Sequence, residues 1–192
     1  MTRPSVSVLD HGMGNLPSVV KALQTAGADA RVSSSVEPSA DALCVPGQGV
    51  FGNCMRALAD RDVGEGITRW IADERPYLGI CLGMQVLFDH SEEGDVGGLG
   101  VFRGRVTRLK GPVRVPHIGW NTVSAQGGET FFYFDHSYAV HPEGEAAVKG
   151  WCEHGERFAA WIERDGLTAV QFHPEKSSRD GIALLTGWVR RI

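Results

Sequence analysis

The sequence predicts an α/β fold, in which a mostly parallel central sheet carries helices on both faces and continues into an antiparallel or mixed extension. Two observations predict this fold. Across residues 1–90, short apolar segments alternate with segments of helical periodicity, as expected when helices connect parallel strands. Across residues 100–170, strand-like segments follow one another between turns without a helical pattern, which is typical of antiparallel pairing.

The parallel part is predicted from four short apolar strands and the helical segments between them. The strands are expected at residues 5–9, 30–33, 42–45 and 77–80. Asn15 can cap the first helix, in which Leu16, Val19 and Leu23 recur on one face before Gly27 ends it. Further helices are expected at residues 52–59, 64–73 and 82–88.

A polar, glycine-rich segment at residues 91–98 is interpreted as the loop that separates the two parts. The later strands are expected at residues 101–109, 120–123, 131–134, 138–140, 146–148, 157–162 and 169–172. Ser178 or Asp180 can cap a closing helix that carries Ile182, Leu185 and Val189 on one face.

Composition excludes several classes of protein. The chain has 192 residues, which favours one domain over residues 1–192, and its net charge of −4 comes without a basic patch for nucleic acid. No apolar run reaches the roughly 18 residues of a membrane span, and residues 1–4 lead straight into a strand pattern without a signal peptide. We therefore expect a cytoplasmic protein. The cysteines match no zinc-site spacing, and histidines near carboxylates are expected by chance, so no metal is predicted. No cofactor is predicted either.

The four cysteines, at positions 44, 54, 81 and 152, are expected to be free thiols. Cys81 differs from the others because it follows a predicted strand in the pattern Gly79-x-Cys81-x-Gly83. This spacing is that of a nucleophile elbow, with cysteine in place of serine. Helix N-terminal amides would favour its thiolate, and the Leu82 N–H could bind the oxygen of a tetrahedral intermediate. A buried core cysteine beside packing glycines remains the alternative.

A second motif supplies the base that a thiol nucleophile needs. His173 and Glu175 follow an apolar strand and are separated by Pro174, which ends the strand. Glu175 could hold the imidazole in one tautomer while His173 moves the proton. In isolation, a surface histidine before a turn is the favoured interpretation. The order Cys, His, Glu at two strand ends favours catalysis.

These motifs resemble those of the class I, or triad, glutamine amidotransferases, whose flavodoxin-like glutaminase fold the chain is then expected to share. More narrowly, the chain is similar to the glutaminase subunits of imidazole glycerol phosphate synthases of histidine biosynthesis. The resemblance spans nearly the whole chain and is carried by segments 12–16, 46–49, 79–85, 115–121, 136–138 and 171–177. The chain departs from the common pattern at His11, Gln48 and Asp135.

The resemblance implies a role for each matching residue. Cys81 would be the nucleophile, His173 the acid and base, and Glu175 the residue that orients it, with a glutamyl thioester as intermediate. The oxyanion amides would come from Leu82 and from Gly47, Gln48 or Gly49. Glutamine would bind near Gln85, His136, Ser137 and Tyr138. The partner-facing residues would be Asn15, Trp120 and Lys176, although a helix cap, a core aromatic and a solvated lysine are their simpler interpretations.

The partner implied by the resemblance is a (β/α)₈-barrel cyclase, in a heterodimer. Ammonia from L-glutamine would pass through the barrel and would be used to make imidazole glycerol phosphate and an aminoimidazole carboxamide ribonucleotide. Three alternatives remain open: the same glutaminase with another partner, such as pyridoxal phosphate synthase; a stand-alone thiol hydrolase; and a non-catalytic interaction module. Loss of a triad residue is expected for the last, and all three residues are present.

Overall fold

A computed structural model describes residues 2–192, and within them 13 strands form one continuous sheet. The strands are β1 (Ser5–Leu9), β2 (Asp29–Ser33), β3 (Ala42–Gly47), β4 (Tyr77–Cys81), β5 (Phe88–Ser91), β6 (Val96–Gly97), β7 (Phe102–Arg108), β8 (His117–Ala125), β9 (Gly128–His136), β10 (Tyr138–Pro142), β11 (Val148–His154), β12 (Glu156–Arg164) and β13 (Leu167–Val170). The helices are α1 (Leu16–Thr25), α2 (Phe51–Asp60), α3 (Gly64–Ala72), α4 (Leu82–Gln85) and α5 (Ser178–Val189).

The sheet has a parallel part and a mostly antiparallel part. Strands β2, β1, β3, β4 and β13 are neighbours in that order and all run parallel. From β13 the pairing becomes antiparallel through β12, β10 and β7, and β11 leads away from β12 to the β8–β9 hairpin. The predicted architecture of a parallel sheet with an antiparallel extension is confirmed.

Helices cover both faces of the parallel part, as predicted. On one face, Leu23 of α1 and Trp188 of α5 pack in the same apolar cluster as Val8 of β1. On the other face, the cluster contains Leu58 of α2 and Ile67 of α3. Because parallel strands place their carboxyl ends at one edge, the residues that follow β1, β3, β4 and β13 meet there. None of the helices within residues 2–192 is long and apolar enough to cross a lipid bilayer.

The prediction of a helix over residues 82–88 is wrong in its second half. The helix ends at Gln85, and Phe88 begins β5, which pairs with β7 opposite Phe102. The rings of Phe88 and Phe102 stack with centroids 5.7 Å apart. A short apolar run fits either a helix or a buried strand, so only the partner strand decides between them. Strand β6 likewise lies inside the segment interpreted as a loop.

Three other boundaries differ from the predictions. The strand expected at residues 146–148 begins at Val148 and extends to His154, and the strand expected at residues 169–172 ends at Val170. The closing helix begins at Ser178 itself, so neither Ser178 nor Asp180 is its cap. Residue Ser177 takes the cap position, but its hydroxyl donates to the His173 carbonyl instead of capping the helix.

Candidate active site

Cys81 lies at a sharp turn between a buried strand and a one-turn helix. Strand β4 ends at Cys81 and α4 begins at Leu82, so a single residue makes the change of direction. Cys81 has φ 54° and ψ −105°, a conformation that costs energy in any residue with a side chain. Such conformations persist where the surrounding structure enforces them, and they occur often at active sites.

Two glycines beside Cys81 make this turn sterically possible. A Cβ atom on Gly83 would overlap the carbonyl oxygen of Val45 in β3. A Cβ atom on Gly79 would lie 2.6 Å from the Gly83 carbonyl oxygen. The buried Tyr77 hydroxyl donates to that same oxygen at 2.9 Å. The Gly-x-Cys-x-Gly spacing is therefore required by close approach of backbone to backbone.

His173 and Glu175 lie just beyond the end of β13, the strand beside β4. A 3₁₀ turn over Pro174–Lys176 follows His173 and brings the two side chains together. His173 Nδ1 lies 2.8 Å from Glu175 Oε1, and both side chains are 2% exposed. Because Nδ1 donates to the carboxylate, Nε2 is the nitrogen that can exchange a proton. Nε2 is buried and has no hydrogen-bond partner among residues 2–192.

Neighbouring charges dominate the protonation of His173. Burial lowers the pKa of its imidazole, but the sulfur of Cys81 and the carboxylate of Glu175 raise it, and the pKa rises from 6.5 to about 10. Both neighbours thus favour the imidazolium form of His173. Such a proton, held next to a nucleophile, is available to a leaving group.

Hydrogen bonds to β9 fix the backbone around His173. The His173 N–H donates to the Tyr133 carbonyl at 2.8 Å. The buried Ser177 hydroxyl donates to the His173 carbonyl at 2.6 Å and accepts from the Tyr133 N–H at 2.9 Å. The imidazole position therefore depends on the antiparallel part of the sheet as well as on β13.

The segment Gly47–Gly49 lies on the other side of Cys81. Gly47 is the register partner of Cys81, and a Cβ atom on it would lie 2.8 Å from the Leu82 Cβ. Gly49 has φ 109°, a region that favours glycine. The buried His11 ring donates from Nε2 to the Pro46 carbonyl at 2.6 Å. The Leu82 N–H, as the first of α4, has no acceptor within the helix. Both predicted sources of oxyanion amides thus lie beside Cys81.

A pocket of about 160 Å³ has Cys81 in its lining. Eight of the lining residues belong to the predicted site, with Gln48 and Gly49 on one side. The full lining consists of Gln48, Gly49, Cys81, Leu82, Gln85, Glu93, Pro116, Asp135, His136, Ser137 and Tyr138. His173 and Glu175 are buried and are not among the residues that line this pocket.

The family described as Glutamine amidotransferase class-I matches residues 7–188. The chain belongs to this family. Its relatives include imidazole glycerol phosphate synthase subunits HisH. The chain is 46% identical to the HisH of Nocardia farcinica, over 98% of this chain and 99% of that protein. It is 42% identical to the HisH of Dechloromonas aromatica, over 96% and 95% of the two chains.

Solved structures share the fold of this amidotransferase at low sequence identity. A crystal structure of a glutamine amidotransferase superposes with a TM-score of 0.77 at 19% identity, covering 97% of this chain and 99% of that chain. PurLQS from Thermotoga maritima superposes with a TM-score of 0.74 at 14% identity, covering 98% and 95%. At such identity the likeness concerns the fold alone.

The side chains of two residues predicted to bind glutamine are largely occupied within the amidotransferase. Gln85 donates from its amide nitrogen to the Tyr138 carbonyl at 2.8 Å and to Gln171 Oε1 at 3.1 Å, which leaves its own oxygen for a ligand. His136 has both ring nitrogens engaged, with the Tyr138 carbonyl at 2.9 Å and with His117 at 3.1 Å. Ser137 and Tyr138 line the pocket as expected.

Sequence reasoning missed four residues at the site. Glu93 lines the pocket and accepts from the Phe51 N–H, at the start of α2, at 2.7 Å. Its position in a polar loop gave no signal, although an acidic residue at a helix N-terminus is favourable. Asp135 and Pro116 also line the pocket. Gln171 donates to the Cys81 sulfur at 3.5 Å, and its place two residues before His173 was the available signal.

The residues predicted to face a partner lie on the outer surface. Trp120 is 53% exposed, so its interpretation as a core aromatic is wrong, and it contacts Tyr133 edge-on at 6.1 Å. Lys176 is partly exposed and lies 3.5 Å from Asp135. Asn15 is exposed and accepts from the Ser18 N–H at 3.4 Å, which confirms that it caps α1.

The other three cysteines of the amidotransferase differ chemically from Cys81. All are free, and all are buried. Burial raises the pKa of the Cys54 and Cys152 thiols to about 12, and it raises the pKa of Cys44 well above the ordinary range. Thiols that remain protonated are poor nucleophiles. None of the three lines the pocket.

Proposed function

We propose that this amidotransferase is the glutaminase subunit of an imidazole glycerol phosphate synthase, with residues 1–192 forming one domain. It hydrolyses L-glutamine to glutamate and ammonia and passes the ammonia to a (β/α)₈-barrel cyclase subunit. The observation that carries the proposal is the buried 2.8 Å contact between His173 and Glu175, next to the strained Cys81 at the pocket wall. The names of the relatives supply the pathway.

The first half of the reaction forms a thioester. The Cys81 sulfur, which has given its proton to His173 Nε2, attacks the carboxamide carbon of glutamine, and the carbonyl oxygen becomes an oxyanion. The Leu82 N–H and an N–H from the segment Gly47–Gly49 stabilise that charge. The imidazolium returns its proton to the amide nitrogen, the C–N bond breaks, and ammonia leaves.

The second half releases glutamate. His173 Nε2 takes a proton from water, whose oxygen attacks the thioester carbon, and the C–S bond breaks to restore the thiolate. Glu175 accepts the Nδ1–H and keeps it in place, so the same tautomer serves both halves. The sum is glutamine plus water giving glutamate plus ammonia.

The charges around the pocket suit a glutamine molecule. The carboxylates of Glu93 and Asp135 both line it, and although Lys176 lies 3.5 Å from Asp135, Glu93 offers a negative charge for the α-ammonium group of the substrate. The oxygen of Gln85 is a further acceptor for ligand N–H groups.

The outer face of the β8–β9 hairpin is the surface proposed for the cyclase. Three large apolar side chains there are more than half exposed, and the hairpin also carries Tyr133. They are Ile118, Trp120 and Phe131. Exposed apolar residues in one contiguous surface mark protein interfaces, and Trp is frequent among residues that dominate binding energy. Lys176, directly after Glu175, joins this surface to the triad.

The test is to measure glutamate release from glutamine by the purified chain, alone and with the cyclase and its nucleotide ligand. Cys81→Ala serves as the inactive variant and Cys44→Ala as the matched control, because both remove a buried thiol. We expect turnover in the complex that Cys81→Ala abolishes and Cys44→Ala retains. Equal turnover without the cyclase would favour a stand-alone thiol hydrolase, and no turnover in either preparation would exclude the glutaminase.

A further inference from the structure

Two buried histidines, one at the pocket wall and one beyond it, carry out no step of the proposed reaction. His117 of β8 and His136 of β9 are register partners on the inner face of the hairpin, 4% and 6% exposed. His117 Nδ1 lies 3.1 Å from His136 Nε2. We call these two side chains the imidazole pair. A contact between two ring nitrogens requires one to donate and the other to accept, so its direction is a property of the site.

The backbone around Asn121 sets that direction. Asn121 Oδ1 accepts from the Thr122 N–H at 2.8 Å, and Nδ2 donates to the Glu153 carbonyl at 3.0 Å, so the orientation of this amide is fixed by groups of fixed polarity. Nδ2 also lies 3.2 Å from His117 Nε2, which must therefore accept. The neutral His117 then carries its hydrogen on Nδ1.

The same direction continues through His136. Because His117 Nδ1 donates, His136 Nε2 accepts and the neutral His136 carries its hydrogen on Nδ1. This hydrogen is donated to the Tyr138 carbonyl at 2.9 Å, an acceptor of fixed polarity. Only one pair of tautomers satisfies all of these contacts, and it requires both rings to be neutral.

Burial keeps both rings neutral. It lowers the pKa of His117 to about 4, with a further decrease from His154, whose ring stacks on His117 at 4.0 Å. It lowers the pKa of His136 to about 3, against a hydrogen bond to the Tyr138 carbonyl that acts in the opposite direction. The imidazole pair therefore stays uncharged beside the protonated His173.

The hydrogen bonds continue from the imidazole pair to the nucleophile. The Tyr138 carbonyl that accepts from His136 also accepts from Gln85 at 2.8 Å. Gln85 donates its second N–H to Gln171 Oε1 at 3.1 Å, and this leaves the Gln171 amide nitrogen directed at the Cys81 sulfur, 3.5 Å away. A change in the direction of bonding at Asn121 that removed the hydrogen from His136 Nδ1 would leave the Tyr138 carbonyl, which positions Gln85 and through it Gln171, with one hydrogen bond fewer.

We propose that Asn121, His117 and His136 are positioning residues of the glutaminase site, which act through Tyr138, Gln85 and Gln171 to hold an N–H on the Cys81 sulfur. The inference rests on the proposed function. The alternative is that His117 contributes only packing. Its stacking on Phe134 at 4.7 Å and on His154 would support that role. The two differ in one respect: packing does not depend on which nitrogen carries the hydrogen.

Asn121→Asp tests the direction of the hydrogen bond between residue 121 and His117, since it replaces the N–H donor by an oxygen acceptor of similar size. His117 Nε2 must then donate, and its Nδ1 lone pair would face that of His136 unless a ring takes up a proton. We expect NMR of ¹⁵N-labelled rings to show hydrogen on Nδ1 of both histidines in the wild type, and on Nε2 of His117 in the variant. Hydrogen on Nε2 of His117 in the wild type would overturn the inference.

The kinetic measurement, of kcat and KM for glutamate release, uses the complex with the cyclase. We expect Asn121→Asp to lower kcat for glutamate release about tenfold, with KM for glutamine changed less than kcat, because the altered contact is with the sulfur. Asn53→Asp is the matched control, since Asn53 is exposed in α2 and only meets Arg56. His117→Phe preserves the stacking, removes the donor to His136 and should show a similar decrease.

The outcomes separate the inference from the proposed function. Folded Asn121→Asp and His117→Phe complexes with wild-type kcat and KM would show that the imidazole pair is only packing. Should Asn121→Asp fail to fold, the His117→Phe complex alone decides. A wild-type complex without turnover dependent on Cys81 would reject the glutaminase itself, whatever the ring tautomers are.

Discussion

The two parts of the sheet build their shares of the site by different means. In the parallel part, Cys81 and His173 follow neighbouring strands at one sheet edge, and glycines at 79 and 83 allow backbones to approach closely. In the antiparallel part, the β8–β9 hairpin contributes the imidazole pair through side-chain hydrogen bonds and an exposed apolar face. The first part depends on backbone sterics and the second on hydrogen-bond direction and burial.

This difference shows why the reacting groups and their surroundings respond differently to substitution. A site built by close backbone approach tolerates no added atom, because neighbouring carbonyl groups cannot move independently of the sheet. A site built by side-chain hydrogen bonds tolerates changes of volume better than changes of polarity, because an unpaired buried group is costly.

The largest effect is expected at the triad, with Glu175→Gln. The amide retains the size of the carboxylate but removes the charge that stabilises the imidazolium, so the pKa of His173 should fall and kcat/KM should fall roughly 10²–10⁴-fold. Glu65→Gln, at an exposed position of α3, is the control. Glutamate release by the complex measures both, and a loss below threefold for Glu175→Gln would contradict the assigned role.

The next largest effect concerns the backbone approach itself. Gly83→Ala would place a Cβ atom on the Val45 carbonyl oxygen, and we expect a loss of stability of about 3 kcal/mol or more. Gly187→Ala, in α5, meets nothing within 4 Å and should stabilise by about 0.5–1 kcal/mol. Urea denaturation of both variants measures the difference. Equal stabilities would show that the turn at Cys81 can relax.

A third prediction concerns the exposed face of the antiparallel part. Trp120→Ala should change stability by less than about 0.5 kcal/mol but weaken cyclase binding roughly 30-fold. Val32→Ala is the control in the parallel part, since Val32 is 50% exposed on the edge strand β2. Titration calorimetry against the cyclase gives both affinities. Similar affinities for the two variants would place the interface elsewhere.

The last prediction is a dependence of stability on pH with opposite signs in the two parts. The pKa of His117 is about 4 and that of His136 about 3 when folded, so only the unfolded chain takes up these protons as pH falls from 6.5. Stability should therefore fall on acidification. The pKa of His173 is about 10, so the folded chain holds this proton longer, and stability should fall as pH rises from 6.5 to about 10.

Variants assign each limb of that pH profile to its residues. Each titrating histidine contributes at most about 1.4 kcal/mol per pH unit. His117→Phe should flatten the acid limb and leave the alkaline limb unchanged, and Cys81→Ala should do the reverse. Thermal unfolding between pH 4 and pH 10 measures both limbs. If His117→Phe left the acid slope unchanged, the neutral state of the imidazole pair would not be what acid disrupts.

Much of the parallel part could be predicted from sequence because its signals are local. The apolar strands predicted to end at Leu9, Val45 and Ile80 are each recognisable from a few consecutive residues, as is the Gly-x-Cys-x-Gly spacing. The structure has strands at all three places. The change from helix to strand before Phe88 and the start of β11 could not be predicted. The strands with which these segments pair lie elsewhere in the chain. Glu93 and Asp135 escaped for the same reason, since only tertiary contacts bring them to the pocket.

The sequence by itself determined which residues can react. A cysteine between two glycines after an apolar strand, and a histidine two residues before a glutamate, are patterns whose chemistry follows from adjacency along the chain. The tertiary structure alone decided how these residues are held. The contacts among Asn121, His117, His136 and Tyr138 join β8 to β10, and the pairing of β8 with β9 creates them. The direction of a hydrogen bond between side chains on different strands depends on which residues the fold brings together, and local sequence patterns do not contain this information.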